Sequence, residues 1–338
     1  MRPSSKFVIP GSLVLLTLLQ ASSGYHIAKR FPVPGNGGFD YVTFDESSRR
    51  LYLSHGSEVN VVDADTGKLV GTITETAGVH GVALAHSSKH GFTSNGGEDK
   101  VTMFDLETLK PIKKIDVGKG PDGIYYEPKS KRIFTNNHKS HDITAIDADA
   151  GTVVGTVKIE GDGEQAVLSN GHFFVNSEDK NEVVVFDPKT LEVTKRMPIT
   201  SAKVPTGLAY DEKTKRLFIS CRQKPMMIVM DAETGKEIAN FPIGTGADWA
   251  HFDPHAKLVF VSTGEGFLNI FHQKSANEYE VVEALPTQPS AKTMAFDPKT
   301  KRVFLPAAEY DMVPPTPPAT QPRRVIRPGT FNVLVLEK

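Results

Sequence analysis

Seven polar residues stand just ahead of short apolar runs: Asp40, His80, Asp122, Glu164, Thr206, Asp248 and Lys292. Four carboxylates and one imidazole make an acid-rich set for a chain whose formal net charge is −1. Carboxylates held close together repel one another, so they favour a bound cation or a raised pKa. Oxygen ligands with one imidazole suit Ca²⁺, Mg²⁺ or Mn²⁺, and the further histidines nearby admit Zn²⁺. Asp122, Glu164 and Asp248 are the candidate ligands of such a divalent cation. His80 or His138 would then serve as the base in a metal-assisted hydrolase or lyase acting on a lactone-like substrate. The other use of the same residues, with Trp249 and Arg222 added, is to bind a small molecule or a protein without turnover. A solvated polar rim whose acids cap backbone N–H groups accounts for the pattern equally simply.

Other groups carry weaker signals. His138-Lys-Ser-His141 is the only close histidine pair. Two imidazoles in a loop can share a metal, or simply face water. His251 falls inside an apolar run and reads as a hydrogen-bonded core histidine. Trp249, the sole tryptophan, sits beside Asp248 as a ligand wall or as packing. Arg222, Lys224, Arg323, Arg324 and Arg327 could hold a polyanion, whose mark would be a steep salt dependence. The near-neutral charge makes nucleic acid an unlikely partner.

These residues become neighbours only if the fold is a ring. The segment Pro205–Ile243 reads as four short strands with a turn between each pair, and no window in it keeps a 3.6-residue period. Its third strand ends at Asp231, followed by strong turn chemistry through Gly235. Equivalent residues are Asp63, Asp105, Asp147 and Asp187, with steps of 42, 42, 40 and 44 residues along the series. A four-strand unit of about 40–45 residues is a β-propeller blade, and stacked blades cover the faces that one sheet leaves bare. Seven blades follow. The repeated Asp belongs to turns on the face opposite the polar ring, where it caps N–H groups. The last blade lacks one strand, and Tyr25–Val33 is expected to pair with Phe331–Glu337 and close the ring. Residues 307–330 interrupt that blade as a Pro-rich and basic insertion, read as a lid or docking arm or as a solvated loop.

Residues 1–24 have the pattern of a signal peptide: Arg2 and Lys6, an apolar stretch, then small residues. The apolar run is shorter than the roughly 20 residues that span a bilayer. A periplasmic or secreted propeller over 25–338, with no membrane span after cleavage, is the expectation. Cys221 is the only cysteine, so there is no disulfide and no C-x-x-C-H attachment site, and no haem is expected. No nucleophile elbow, H-E-x-x-H, P-loop or dinucleotide fingerprint occurs.

Ile133-Phe-Thr-Asn136, Phe173-Phe-Val-Asn176, Leu217-Phe-Ile-Ser220, Leu51-Tyr-Leu-Ser54 and Val259-Phe-Val-Ser262 resemble the tetrapeptide of YVTN-type propeller repeats. Val-Val-Asp-Ala-Asp-Thr-Gly-Lys68 and Val-Met-Asp-Ala-Glu-Thr-Gly-Lys236 are similar to that family's downstream stretch. The resemblance spans the chain from about residue 25. It implies an exported β-propeller and names no activity.

Overall fold

The computed structural model describes residues 22–35, 37–169, 171–315 and 321–338. Apart from Ser22, Ser23 and Gly24, the proposed leader lies outside them. Seven four-stranded antiparallel sheets stand around one axis as an all-β, seven-bladed propeller. Among the described residues no helix is long and apolar enough to cross a membrane.

The second strand of every blade carries an aromatic residue at the same register: Tyr52, Phe92, Phe134, Phe174, Phe218, Phe260 and Phe304. All seven are buried. Each fills the wedge between its own sheet and the next, and burying a ring of this size stabilises by about 2–3 kcal/mol. Middle strands touch a neighbouring blade on both faces, so they read as continuous apolar runs such as Leu258–Thr263, which is buried throughout. Outermost strands such as Thr152–Lys158 are largely exposed.

The repeated Asp does the turn work anticipated for it. Asp63 Oδ1 accepts from the backbone N–H groups of Asp65 at 3.1 Å and Thr66 at 2.7 Å. Asp105, Asp147, Asp187 and Asp231 repeat the arrangement. The residue closing the turn needs positive φ, which Gly67 supplies at 71°. A Cβ there would stand 2.4 Å from the Phe31 ring, so the N-terminal strand itself demands glycine.

Closure is as expected. His26–Pro32 pairs antiparallel with Asn332–Glu337, in a register running from His26↔Glu337 to Pro32↔Asn332. Blade seven is thereby completed by strands from both chain ends, with Ala295–Phe296 innermost and Val303–Ala307 second. The insertion is more ordered than its composition suggests. Tyr310–Val313 and Arg323–Ile326 form a hairpin, while residues 316–320 lie outside the description. The Arg324 guanidinium stacks 4.3 Å over the Tyr310 ring, and Arg327 is taken up by Glu309 and Asp311. Both members of the stack line a 610 Å³ hollow that also contains Arg222 and Lys292.

Candidate functional site

In four blades the last residue of the second-strand tetrapeptide reaches into the next blade and holds its ring residue by the backbone. Asn136 Nδ2 donates to the Glu164 carbonyl at 2.5 Å, and Asn176 Nδ2 to that of Thr206 at 3.0 Å. Ser262 Oγ donates to the Lys292 carbonyl at 2.5 Å, and Ser94 Oγ to that of Asp122. Thr293 Oγ1, beside Lys292, does the same across the closing seam with a 2.6 Å bond to the Asp40 carbonyl. Contacts of this kind hold five of the seven sequence-selected residues, and His80 and Asp248 join the same rim through their ion pairs with Asp40, Arg222 and Lys292.

The rim is unevenly neutralised. Lys292 Nζ sits 3.0 Å from Asp40 and also binds Asp248. Arg222 bridges Glu178, at 3.1 Å, and Asp248. His80 Nδ1 lies 2.8 Å from Asp40 and 3.5 Å from Asp122. Burial would raise Asp40, but Lys292 and His80 outweigh it and hold that carboxyl low. Asp122 goes the other way, pushed up to about 6 by burial and then by the charge of Asp40. Glu164, 5% exposed, is raised well above the usual carboxylate range by burial, by Asp122 and Asp248, and by a hydrogen bond with Glu178. Thr206 is fully buried and donates to the Ala247 carbonyl at 2.8 Å, so it locks blade five to blade six rather than facing a ligand.

Directly inside the rim the axis is filled by alternating large and small residues. Tyr41 and Trp249 approach with ring centroids 5.2 Å apart. Gln165 crosses from blade four, accepting from the Leu208 and Ala250 N–H groups at 2.8 and 3.1 Å. Gly207 leaves them room: a Cβ there would meet the Trp249 backbone at 2.6 Å.

Beyond Tyr41 and Trp249 the channel opens into a cavity of about 640 Å³, reaching Asp45, Ser47 and His86 at the opposite face. Its walls include Phe44, Tyr125, Tyr126, Phe296 and His251. His251 stacks on Phe296 at 4.5 Å, and among the described residues neither ring nitrogen has a hydrogen bond. The hydrogen-bonded core histidine expected from the sequence is therefore an unpartnered one facing open space. Burial, with Lys301 adding, pushes its pKa down to about 4, so the imidazole is neutral at physiological pH. Sequence reasoning placed ligand chemistry on the rim alone; the available signal was the run of aromatic residues in the first strands, four positions past several ring residues.

Several polar residues in the loops after the second strands have structural work. His55 Nδ1 binds Asn60 at 2.8 Å and is buried against Phe331. Asn95 and Asn137 tie their own hairpins through Thr102 and Thr144, each at 2.8 Å. The histidine pair converges on one carboxylate, with His141 Nδ1 2.7 Å and His138 Nε2 3.7 Å from Asp162. Asp248, expected among metal ligands, is committed to Arg222 and Lys292. The groups that meet metal-binding geometry are Asp40, His80 and Asp122, and Asp122, His138 and Glu164.

The fold is widely shared. A chain of Kuenenia stuttgartiensis hydrazine synthase superposes with a TM-score of 0.71 at 17% identity, covering 81% of this chain and 94% of its own. A chain of the mitotic checkpoint complex gives 0.73 at 13% identity, covering 100% and 98%. The structure of U3-55K gives 0.76 at 7% identity, covering 92% and 98%. With 1751 solved chains matching, likeness at these identities speaks for the fold and for nothing finer. No curated protein matches the chain.

A family model described as the cytochrome D1 heme domain matches residues 41–214. This overturns the expectation that haem is excluded. The missing C-x-x-C-H rules out only covalent attachment of the c type; a haem held without thioether bonds needs an axial donor and a pocket. The cavity meets those two demands through the open, neutral imidazole of His251 and the aromatic walls, at a volume within the range of about 300–1,000 Å³ common to cofactor sites. A haem's carboxylates are served less well, since the lining has no Lys or Arg and His86 is held 3.1 Å from Asp45. Donor and walls fit. His251 lies outside the matched stretch, whereas Tyr41 and Tyr125 lie within it. With just over half its length matched, the chain belongs to the cytochrome D1 heme domain family.

Proposed function

We propose that this protein is an exported ligand-binding propeller whose channel cavity takes a flat aromatic ligand of the haem class, with His251 as the iron donor. One observation carries the reading: a neutral histidine without a hydrogen bond faces a 640 Å³ aromatic cavity. Membership of the cytochrome D1 heme domain family supports the ligand class. Tyr41 and Trp249 close the rim end of the cavity and keep bulk water from that side. Phe44, Tyr126 and Phe296 supply stacking faces. A haem held there would bring a redox-active iron. Export is proposed from the basic, apolar and small-residue pattern of residues 1–24 and from the resemblance to YVTN-type propellers.

Binding without turnover is the form of the proposal. In the hydrolase reading His80 is a base. Burial lowers its pKa, but the hydrogen bond to Asp40 and the charges of Asp122 and Asp40 prevail and raise it. Its Nδ1 is held among those rim carboxylates, at 2.8 Å from Asp40 and 3.5 Å from Asp122.

Titration of the purified chain with hemin, followed by the Soret band, tests the reading. One equivalent should bind, and His251→Ala should weaken binding at least tenfold while His80→Ala leaves it unchanged. Equal binding by the wild type and His251→Ala, or none by the wild type, would overturn it.

A further inference from the structure

Five carboxylates crowd the rim: Asp40, Asp122, Glu164, Glu178 and Asp248. Two permanently charged cations serve them, and their allegiances are clear. Lys292 binds Asp40 and Asp248, and Arg222 binds Glu178 and Asp248. His80 lies nearer Asp40, at 2.8 Å, than Asp122, at 3.5 Å. Asp122 and Glu164 stand side by side on blades three and four without an ion pair to a permanent cation, Glu164 sharing a hydrogen bond with Glu178 and feeling Arg222 only at longer range. No ion pair among the described residues includes Glu164.

An imidazole stands next to them. A carboxylate oxygen of Asp122, one of Glu164 and a ring nitrogen of His138 lie within 4.8 Å of one another. Two buried atoms of this trio have no hydrogen-bond partner, Asp122 Oδ1 and His138 Nδ1. Glu164 itself is 95% buried, its residue exposure being 5%. Asp162 stands 3.7 Å from His138 Nε2, and its other oxygen lies 2.7 Å from His141 Nδ1. A carboxylate that closes to hydrogen-bond distance on the second nitrogen is what orients histidine ligands of metals, and Asp162 is the carboxylate within reach of His138. Of the histidine pair, His138 alone joins the group, and His141 lies beside Asp162.

We propose that Asp122, Glu164 and His138 form a site for a divalent transition-metal cation of the zinc class, at the rim end of the channel. Two charges on the ion match the two acids that lack a permanent cation. An imidazole beside two carboxylates favours zinc-class ions over Ca²⁺ and Mg²⁺, which prefer all-oxygen sets. Ligand atoms around a tetrahedral zinc stand about 3.3 Å apart, so binding draws the three side chains inward. The other geometric group, Asp40, His80 and Asp122, is the weaker candidate because Asp40 already has both Lys292 and His80. Tyr41 and Trp249 separate this site from the cavity, so the two proposals stand or fall separately.

Isothermal titration of the untagged chain, stripped with chelator and dialysed, measures ZnCl₂ and CaCl₂ binding in separate runs. One equivalent of Zn²⁺ should bind at least tenfold more tightly than Ca²⁺. His138→Ala and Asp122→Asn should each weaken Zn²⁺ at least tenfold, and His86→Ala at the opposite face should not. If Asp122→Asn fails to fold, the isosteric Glu164→Gln takes its place. No Zn²⁺ heat from folded wild type, Zn²⁺ affinity unchanged in the folded variants, or Ca²⁺ bound as tightly as Zn²⁺ would each overturn the proposal.

Discussion

Asn136 donates a 2.5 Å hydrogen bond from its side-chain amide to the backbone carbonyl of Glu164, across the gap between blades three and four. The bond joins the most repetitive feature of the chain to the rim that carries its chemistry. Asn136 is 1% exposed, so Asn136→Ala would leave the Glu164 carbonyl buried without this donor. The expected loss is about 1–3 kcal/mol, read as a lower denaturation midpoint. Asn136→Ser should recover part of it, because Ser94 and Ser262 make the equivalent contact in their blades. Equal midpoints for Ala and Ser would show that the contact contributes nothing.

Asp248 is the hinge of the rim's charge balance. Its side chain is 2% exposed and touches both Arg222 and Lys292. Asp248→Ala removes the carboxylate shared by two cations, which keep Glu178 and Asp40, and is expected to cost about 1.5–3 kcal/mol. Lys292→Met, which leaves Asp248 with Arg222, should cost distinctly less. Urea midpoints of the two variants check the order, and a reversed order would count against this division of charge.

The closing strand should be a stability element. Phe31, 5% exposed, packs on the Gly67 turn and within the cluster joining blades seven and one. Phe31→Ala is expected to cost about 3–5 kcal/mol and to raise the unfolding rate. A drop below about 1 kcal/mol would mean that the seam carries little of the ring's stability.

Alkaline pH should loosen the same seam. Burial, with the charge of Asp253 adding, pushes the Tyr25 hydroxyl up to about 12 from an ordinary value of 10.0. Below pH 10 the proton is held in both folded and unfolded chains, and the stabilisation is fully present. Between pH 10 and 12 the unfolded chain releases the proton first, so stability is lost as pH rises. Tyr25→Phe should flatten the fall in denaturant midpoint over that range only in part, since Tyr41 and Tyr125 are also raised by burial.

Cys221 should be inert while the chain is folded. It is fully buried, and burial with the nearby Glu237 pushes the thiol up to about 12. A disulfide reagent at pH 8 should label it only after denaturant is added, because the thiolate is the reacting form. Labelling of the native protein at the rate seen in denaturant would contradict this burial.

Local chemistry made much of the protein legible in one dimension. Asp63 and its four equivalents mark hairpin turns because a carboxylate bonds N–H groups two and three residues ahead of it. An aromatic at one register of each second strand marks the blades, and repetition of the unit forces a ring, since a single sheet cannot cover its own faces. The missing strand of blade seven pointed to Tyr25–Val33 because an open ring leaves an edge unpaired. Even the rim residues could be chosen, as register alone puts Asp40, His80, Asp122, Glu164 and Asp248 around one mouth.

What each rim residue does was decided only by the tertiary structure, because partners separated by 20 to 250 residues determine it. Asp248 leaves the metal-binding set because Arg222 and Lys292, 26 and 44 residues away, claim it. His138 enters that set because its loop falls beside Glu164 of the next blade. His251 sits in a strand that by pattern belongs to the core, yet it faces a cavity formed by first strands of several different blades. Sequence spacing places residues around the axis; which charges pair, and where space remains, depend on side chains meeting across it.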